Sequence, residues 1–111
     1  MWAVVTSRSI SSVAYRVDYS PAALAHLRGL TRPQQVAILE GVDEHLAHQP
    51  DTETRNRKPM RPNPLAPWEL RLGDLRVYYE VEHSPDAVVT VLAVGIKVRN
   101  VVFIGNEAID L

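Results

Sequence analysis

Apolar and polar residues alternate along Trp68-Glu69-Leu70-Arg71-Leu72-Gly73-Asp74-Leu75-Arg76-Val77-Tyr78-Tyr79-Glu80-Val81 on both sides of Gly73-Asp74. That is the period-two pattern of two half-buried strands. A two-residue turn led by glycine closes them into a hairpin of type II′ or I′, because glycine takes positive φ without steric cost. The turn fixes the register. Leu72 faces Leu75, Arg71 faces Arg76, Leu70 faces Val77, Glu69 faces Tyr78 and Trp68 faces Tyr79. One face of the hairpin, Trp68, Leu70, Leu72, Leu75, Val77, Tyr79 and Val81, is fit for a core. The other sets Arg71 across from Arg76, a like-charge pair that costs a few tenths of a kcal/mol, up to roughly 1. An anionic ligand removes that repulsion, so the pair marks a candidate anion site.

The remaining elements follow from the same reading. Tyr15-Arg16-Val17-Asp18-Tyr19 alternates as a first strand. Ser20-Pro21 supplies an N-cap and a proline at the first helical position, Ala22 to Leu27 favour helix, and Gly29 lies near its end. Thr31-Arg32-Pro33-Gln34 matches the capping box of a second helix. Val36, Leu39, Val42 and Leu46 recur along it at helical spacing, Ile38 widens the stripe, and Pro50 stops it. So short a link predicts an antiparallel pair of helices. Five prolines between 50 and 67 predict a stiff, ordered connection without regular structure. Ala87 to Ile96 is apolar on both faces except for Thr90, as in a covered central strand, and Val101 to Ile104 reads as a further strand or extended tail ending near Gly105. The order β-α-α-β-β-β predicts an α+β domain, a helical hairpin packed on a mostly antiparallel sheet. Residues 15–111 form the single domain, and residues 1–14 an N-terminal extension.

Composition narrows the setting. At 111 residues the chain is one small domain with a single core. It has no cysteine, which excludes disulfides and thiolate-bound metals and fits a reducing cytoplasm. No apolar run approaches the ~20 residues that span a bilayer, and the start lacks the basic and apolar regions of a signal peptide. Net charge is −1, yet Arg55 to Arg76 holds six cations against two anions. A compact basic patch on a neutral protein suits a phosphate or an acidic partner. His26, His45, His48 and His83 follow no HExxH-type spacing, so neither a metal nor another cofactor is expected. His45 and His48 are read as exposed helix positions.

With these residues in view, the chain resembles the RelE/ParE superfamily of bacterial type II toxins. The likeness covers Tyr15 to Ala108. It rests on the element order, on Trp68 to Tyr79, and on Val94-Gly95-Ile96-Lys97-Val98-Arg99. The resemblance implies a cytoplasmic toxin held by a cognate antitoxin in a hetero-oligomeric complex. In RelE-type members it implies metal-independent cleavage of mRNA on the ribosome. Arg71 and Arg76 then resemble the basic residues of the sheet, and Lys97 and Arg99 the cationic pair leaving the last long strand. Glu69 stands where RelE-like enzymes commonly carry Lys, and Phe103 roughly where a terminal Tyr is expected. The ParE branch shares the fold, lacks the nuclease constellation and acts on DNA gyrase; a third reading, kept open by Glu69 and Phe103, is a catalytically weakened toxin that acts through antitoxin binding.

RNA cleavage by its own 2′-hydroxyl needs a proton acceptor, stabilisation of a dianionic phosphorane and protonation of the departing 5′-oxygen. Guanidinium groups bind phosphate bidentately, which suits Arg71, Arg76, Lys97 and Arg99 to the second task together. Glu69, on the face of Arg71, is the candidate base. Tyr78 opposite it is a candidate acid or base-stacking residue. Arg57, Lys58 and Arg61 in the basic segment are candidate substrate-binding residues. Trp68 and Tyr79 belong by register to the core. A surface network of Arg71, Glu69 and Arg76 is the purely structural reading of the same residues.

Overall fold

The computed structural model describes residues 14–110; all but the last residue of the expected N-terminal extension lie outside them. Among the described residues there are two helices and seven strands. They run β1 (Arg16–Tyr19), α1 (Pro21–Arg28), α2 (Arg32–Leu46), β2 (Arg57–Pro59), β3 (Trp68–Leu72), β4 (Leu75–Glu82), β5 (Val88–Val98), β6 (Val101–Ile104) and β7 (Glu107–Ile109). The strands join one sheet in the order β2-β3-β4-β5-β6-β7, with β1 pairing parallel to the first half of β5. Every other pairing is antiparallel.

Local chemistry explains the elements. The Ser20 hydroxyl accepts from the Ala23 amide at the start of α1. At α2 both arms of the capping box form, with the Thr31 amide donating to Gln34 Oε1 at 2.9 Å and the Gln34 amide to Thr31 Oγ1. Gly73 takes φ +63° while Asp74 stays at negative φ, the pattern of a type II′ turn. The β3–β4 register is the one the turn dictates, from Leu72 opposite Leu75 to Trp68 opposite Tyr79.

Both helices cover the same face of the sheet, α1 against β5 and α2 against β3 and β4. The main core joins Ala23, Leu27, Ile38, Val42 and Leu46 to Leu70, Leu75, Val77, Tyr79, Val89, Val91 and Val94. Trp68 and Tyr79 stack there, ring centres 6.1 Å apart. The opposite face carries a smaller apolar cluster of Ala66, Tyr78, Ala93 and Ile104.

Four expectations change. The segment 50–67 is not wholly irregular, because Arg57–Pro59 adds an edge strand to β3; an edge position tolerates a proline, which cannot donate to a ladder. Beyond Ile104 the chain turns and returns as β7. Gly105 and Asn106 both take positive φ there, the type I′ pattern. On α2 the buried stripe is Ile38, Val42 and Leu46, whereas Val36 and Leu39 face outward. Finally, α2 ends at Leu46, which leaves His48 beyond the helix.

Candidate functional site

The helix-free face of the sheet forms a groove of about 640 Å³. Its floor is the row where Lys58 on β2 pairs with Glu69 on β3 and Glu69 with Tyr78 on β4, with Arg71 alongside. One wall is the stretch Pro59 to Asn63, and the other is Asn100, Val102, Ile109 and Asp110 from the β5–β6 turn onward. Asn63 shapes the first wall: its side-chain oxygen accepts from the Leu65 and Ala66 amides, and its Nδ2 donates to the Arg61 and Ala66 carbonyls.

Three features give the groove its chemistry. Glu69 is buried, and Arg71 Nε donates to its Oε1 at 2.7 Å while the rest of the Arg71 side chain stays half exposed. A buried carboxylate demands such a partner. Tyr78 is fully buried, and its hydroxyl makes no well-aligned hydrogen bond among the described residues but lies against the Glu69 carboxylate, the polar group that faces it. Burial first, and then the charge of Glu69 and hydrogen bonding to it, hold that phenol well above the usual tyrosine range and so protonated, against the opposing pull of Arg76 and Arg71. Third, Lys58 and Arg61 stand on the rim, Lys58 loosely paired with Glu53 at 3.7 Å.

The expected site residues do not all converge. Glu69, Arg71, Tyr78, Lys58 and Arg61 meet at the groove. Arg76 is buried, its Nη1 donating to the Gly73 and Leu75 carbonyls at 2.7 and 2.9 Å. It thereby braces the turn and escapes the repulsion of Arg71. The expected Arg71–Glu69–Arg76 network is reduced to its first pair. Lys97 pairs with Val102 and so shares the groove face, but at the far end of β5. Arg99 is exposed in the β5–β6 turn at φ +58°.

Arg57, expected beside Lys58, lies on the other side of the sheet. Strand alternation turns it toward the helices, where Nη1 donates to the His45 carbonyl and Nε to the Thr52 carbonyl. It satisfies the C-terminal end of α2, a structural task. Phe103 also faces away from the groove, into a smaller pocket beside His26 and Leu30.

Sequence reasoning missed Asn100, Val102, Ile109 and Asp110 as one wall. Gly105-Asn106 between apolar stretches was the available signal, since that dipeptide favours a two-residue hairpin. Among the described residues no three His, Cys, Asp or Glu side chains are grouped to hold a metal ion, and no helix is long and apolar enough to cross a membrane.

Residues 17–101 match the family model of the ParE toxin of the type II toxin–antitoxin system parDE. The chain belongs to the ParE toxin family. It is therefore a toxin of the RelE/ParE superfamily of type II toxin–antitoxin systems. No curated protein matches this ParE-family chain in sequence. Among solved structures it is similar to a chain of the RelBE2 toxin–antitoxin complex from Mycobacterium tuberculosis, with a TM-score of 0.66 and 25% identity over 77% of this chain and 93% of that one. It is also similar to a chain of the archaeal RelE–RelB complex from Pyrococcus horikoshii OT3, with a TM-score of 0.61 and 25% identity over 78% of this chain and 98% of that one. The two helices on a mostly antiparallel sheet are the RelE/ParE arrangement.

Proposed function

We propose that this ParE-family toxin inhibits translation by cutting mRNA on the ribosome at the groove between β3, β4 and the β6–β7 wall. The observation that carries this reading is a buried carboxylate, paired with Arg71, set against a buried and poorly bonded phenol on the floor of a groove rimmed by Lys58 and Arg61. Burying a carboxylate and a phenol against each other without a well-aligned hydrogen bond costs stability, and a passive docking face gains nothing from that cost. Such groups cluster where chemistry is done.

In this reading Arg71, Lys58 and Arg61 hold the scissile phosphate, and Arg71 offers its remaining N–H groups to the charge of the phosphorane. Glu69 accepts the proton of the 2′-hydroxyl. Tyr78, protonated, is the donor within reach of the same floor. Lys97 and Arg99 extend the cationic track along β5, and Arg76 acts by holding the Gly73-Asp74 turn in place. A cognate antitoxin silences the toxin, and the structural neighbours are themselves chains of toxin–antitoxin complexes.

A second reading is favoured by the family match to ParE and by Phe103, which supplies no hydroxyl and faces away from the groove. There the same basic surface docks on DNA gyrase. Induced expression separates the two. Growth arrest should be abolished by Glu69→Gln and reduced at least tenfold in potency by Arg71→Ala, with both variants folded by circular dichroism. Arrest that survives Glu69→Gln, together with loss of plasmid supercoiling, would transfer the activity to gyrase.

A further inference from the structure

The groove has two unlike walls. One presents the cations Lys58 and Arg61, with Arg71 at its foot. The other presents a neutral amide, two aliphatic side chains and a carboxylate: Asn100, Val102, Ile109 and Asp110. Asp110 is exposed and, among the described residues, makes no ion pair or hydrogen bond, although three cations line the same groove. An unpaired carboxylate lowers the potential at that wall and turns phosphate away from it. For a groove that only collects anions, this is a handicap. For a groove that takes a nucleotide in one orientation, it is a selector.

We infer that the β6–β7 wall is a base-reading subsite for guanine, with Asp110 as its specificity-determining residue. The inference rests on the nucleic-acid reading of the groove. An ionised carboxylate is acceptor-only. Among the four RNA bases, guanine alone offers two adjacent N–H donors, N1–H and N2–H, on its Watson–Crick edge, and a carboxylate takes both at once. Uracil, whose edge offers oxygen acceptors flanking a single N–H, is repelled. Adenine and cytosine each offer one amino donor next to a ring acceptor. Val102 and Ile109 supply the apolar surface against which the base plane lies, and Asn100 supplies a donor for the guanine O6. The phosphate then falls on the opposite wall at Lys58, Arg61 and Arg71. Asp110 orients the nucleotide as well as choosing it.

The test is binding of the four 3′-mononucleotides to the full chain, followed by calorimetry or by chemical-shift titration at fixed salt. GMP should bind on the order of tenfold or more tighter than AMP, CMP or UMP, the discrimination expected of one bidentate contact. Asp110→Asn should bring GMP down to the level of the others, because one of the two acceptors becomes a donor. Arg71→Ala should weaken all four alike and leave the order unchanged. Equal affinity for the four nucleotides, or a guanine preference that survives Asp110→Asn, overturns the inference while leaving an anion-binding groove in place. If no nucleotide binds and Arg71→Ala changes nothing, the reading of the groove itself falls, and the guanine subsite with it.

Discussion

Tyr78 and Tyr79 are neighbours in the chain with opposite circumstances. Tyr79 points to the helices, stacks on Trp68 and donates to the Pro50 carbonyl at 2.6 Å. Tyr78 points to the groove, and its buried hydroxyl has only the Glu69 carboxylate beside it, without a well-aligned hydrogen bond. Tyr79→Phe should therefore destabilise by about 1–2 kcal/mol, because it strands a buried carbonyl. Tyr78→Phe should leave stability unchanged or raise it by up to ~1 kcal/mol, yet weaken toxicity. Urea unfolding of the two variants beside a growth assay checks the contrast, and equal destabilisation of both would remove the functional case for Tyr78. His26 adds an acid-sensitive contribution to stability. Its Nδ1 accepts from the Val94 amide at 3.4 Å, and burial holds its pKa below the usual imidazole value of 6.5. The unfolded chain then takes up a proton more readily than the folded one, so the stabilisation is present above pH 6.5 and is lost as pH falls toward the depressed value. Melting temperature recorded from pH 8 to 5 should decline more steeply for the wild type than for His26→Gln.

At the scale of elements, the hairpin at Gly73-Asp74 was legible because a two-residue turn leaves one register, and that register alone puts seven apolar side chains on one face. The two short strands were not equally legible. Arg57-Lys58-Pro59 carries no apolar alternation, and β2 exists because β3 offers it an open edge and Arg57 anchors to the end of α2. The α2 pattern was degenerate in a different way. Val36 and Leu39 fit a helical period, but contact with the sheet selects the stripe of Ile38, Val42 and Leu46. Gly95 on β5 packs directly against Phe103 and Ile104 of β6. A Cβ there would collide with the Phe103 carbonyl oxygen and press on Ile104, so the clash is with backbone that cannot swing aside. Gly95→Ala should cost about 1–3 kcal/mol and displace β6, which bears Val102 of the groove wall. A lowered unfolding midpoint together with weakened toxicity is the expected outcome, and a variant as stable as the wild type would contradict the packing described.

For the whole molecule, charge segregation matters more than net charge. A chain of net charge −1 gathers six of its twelve Lys and Arg residues between Arg55 and Arg76, and the sheet sorts that segment by alternation. Arg57 goes to the helix side and Lys58 to the groove, while Arg76 sinks into the turn and Arg71, held to Glu69 through Nε, keeps its remaining N–H groups half exposed at the groove. Sequence could identify the segment but not the sorting, which depends on pairing between β2 and β3 across a proline-rich connection. The opposite wall of the groove was hidden for the same reason, since it exists only once β7 folds back. These features converge on one claim, that the Glu69–Arg71–Tyr78 floor is a site of RNA chemistry. The most direct test adds the purified full chain to a translating cell-free extract and maps mRNA ends by primer extension. New ends at discrete positions within translated codons, absent without ribosomes and absent with Glu69→Gln, are the predicted result. Intact mRNA at protein concentrations that block supercoiling by DNA gyrase would contradict the claim.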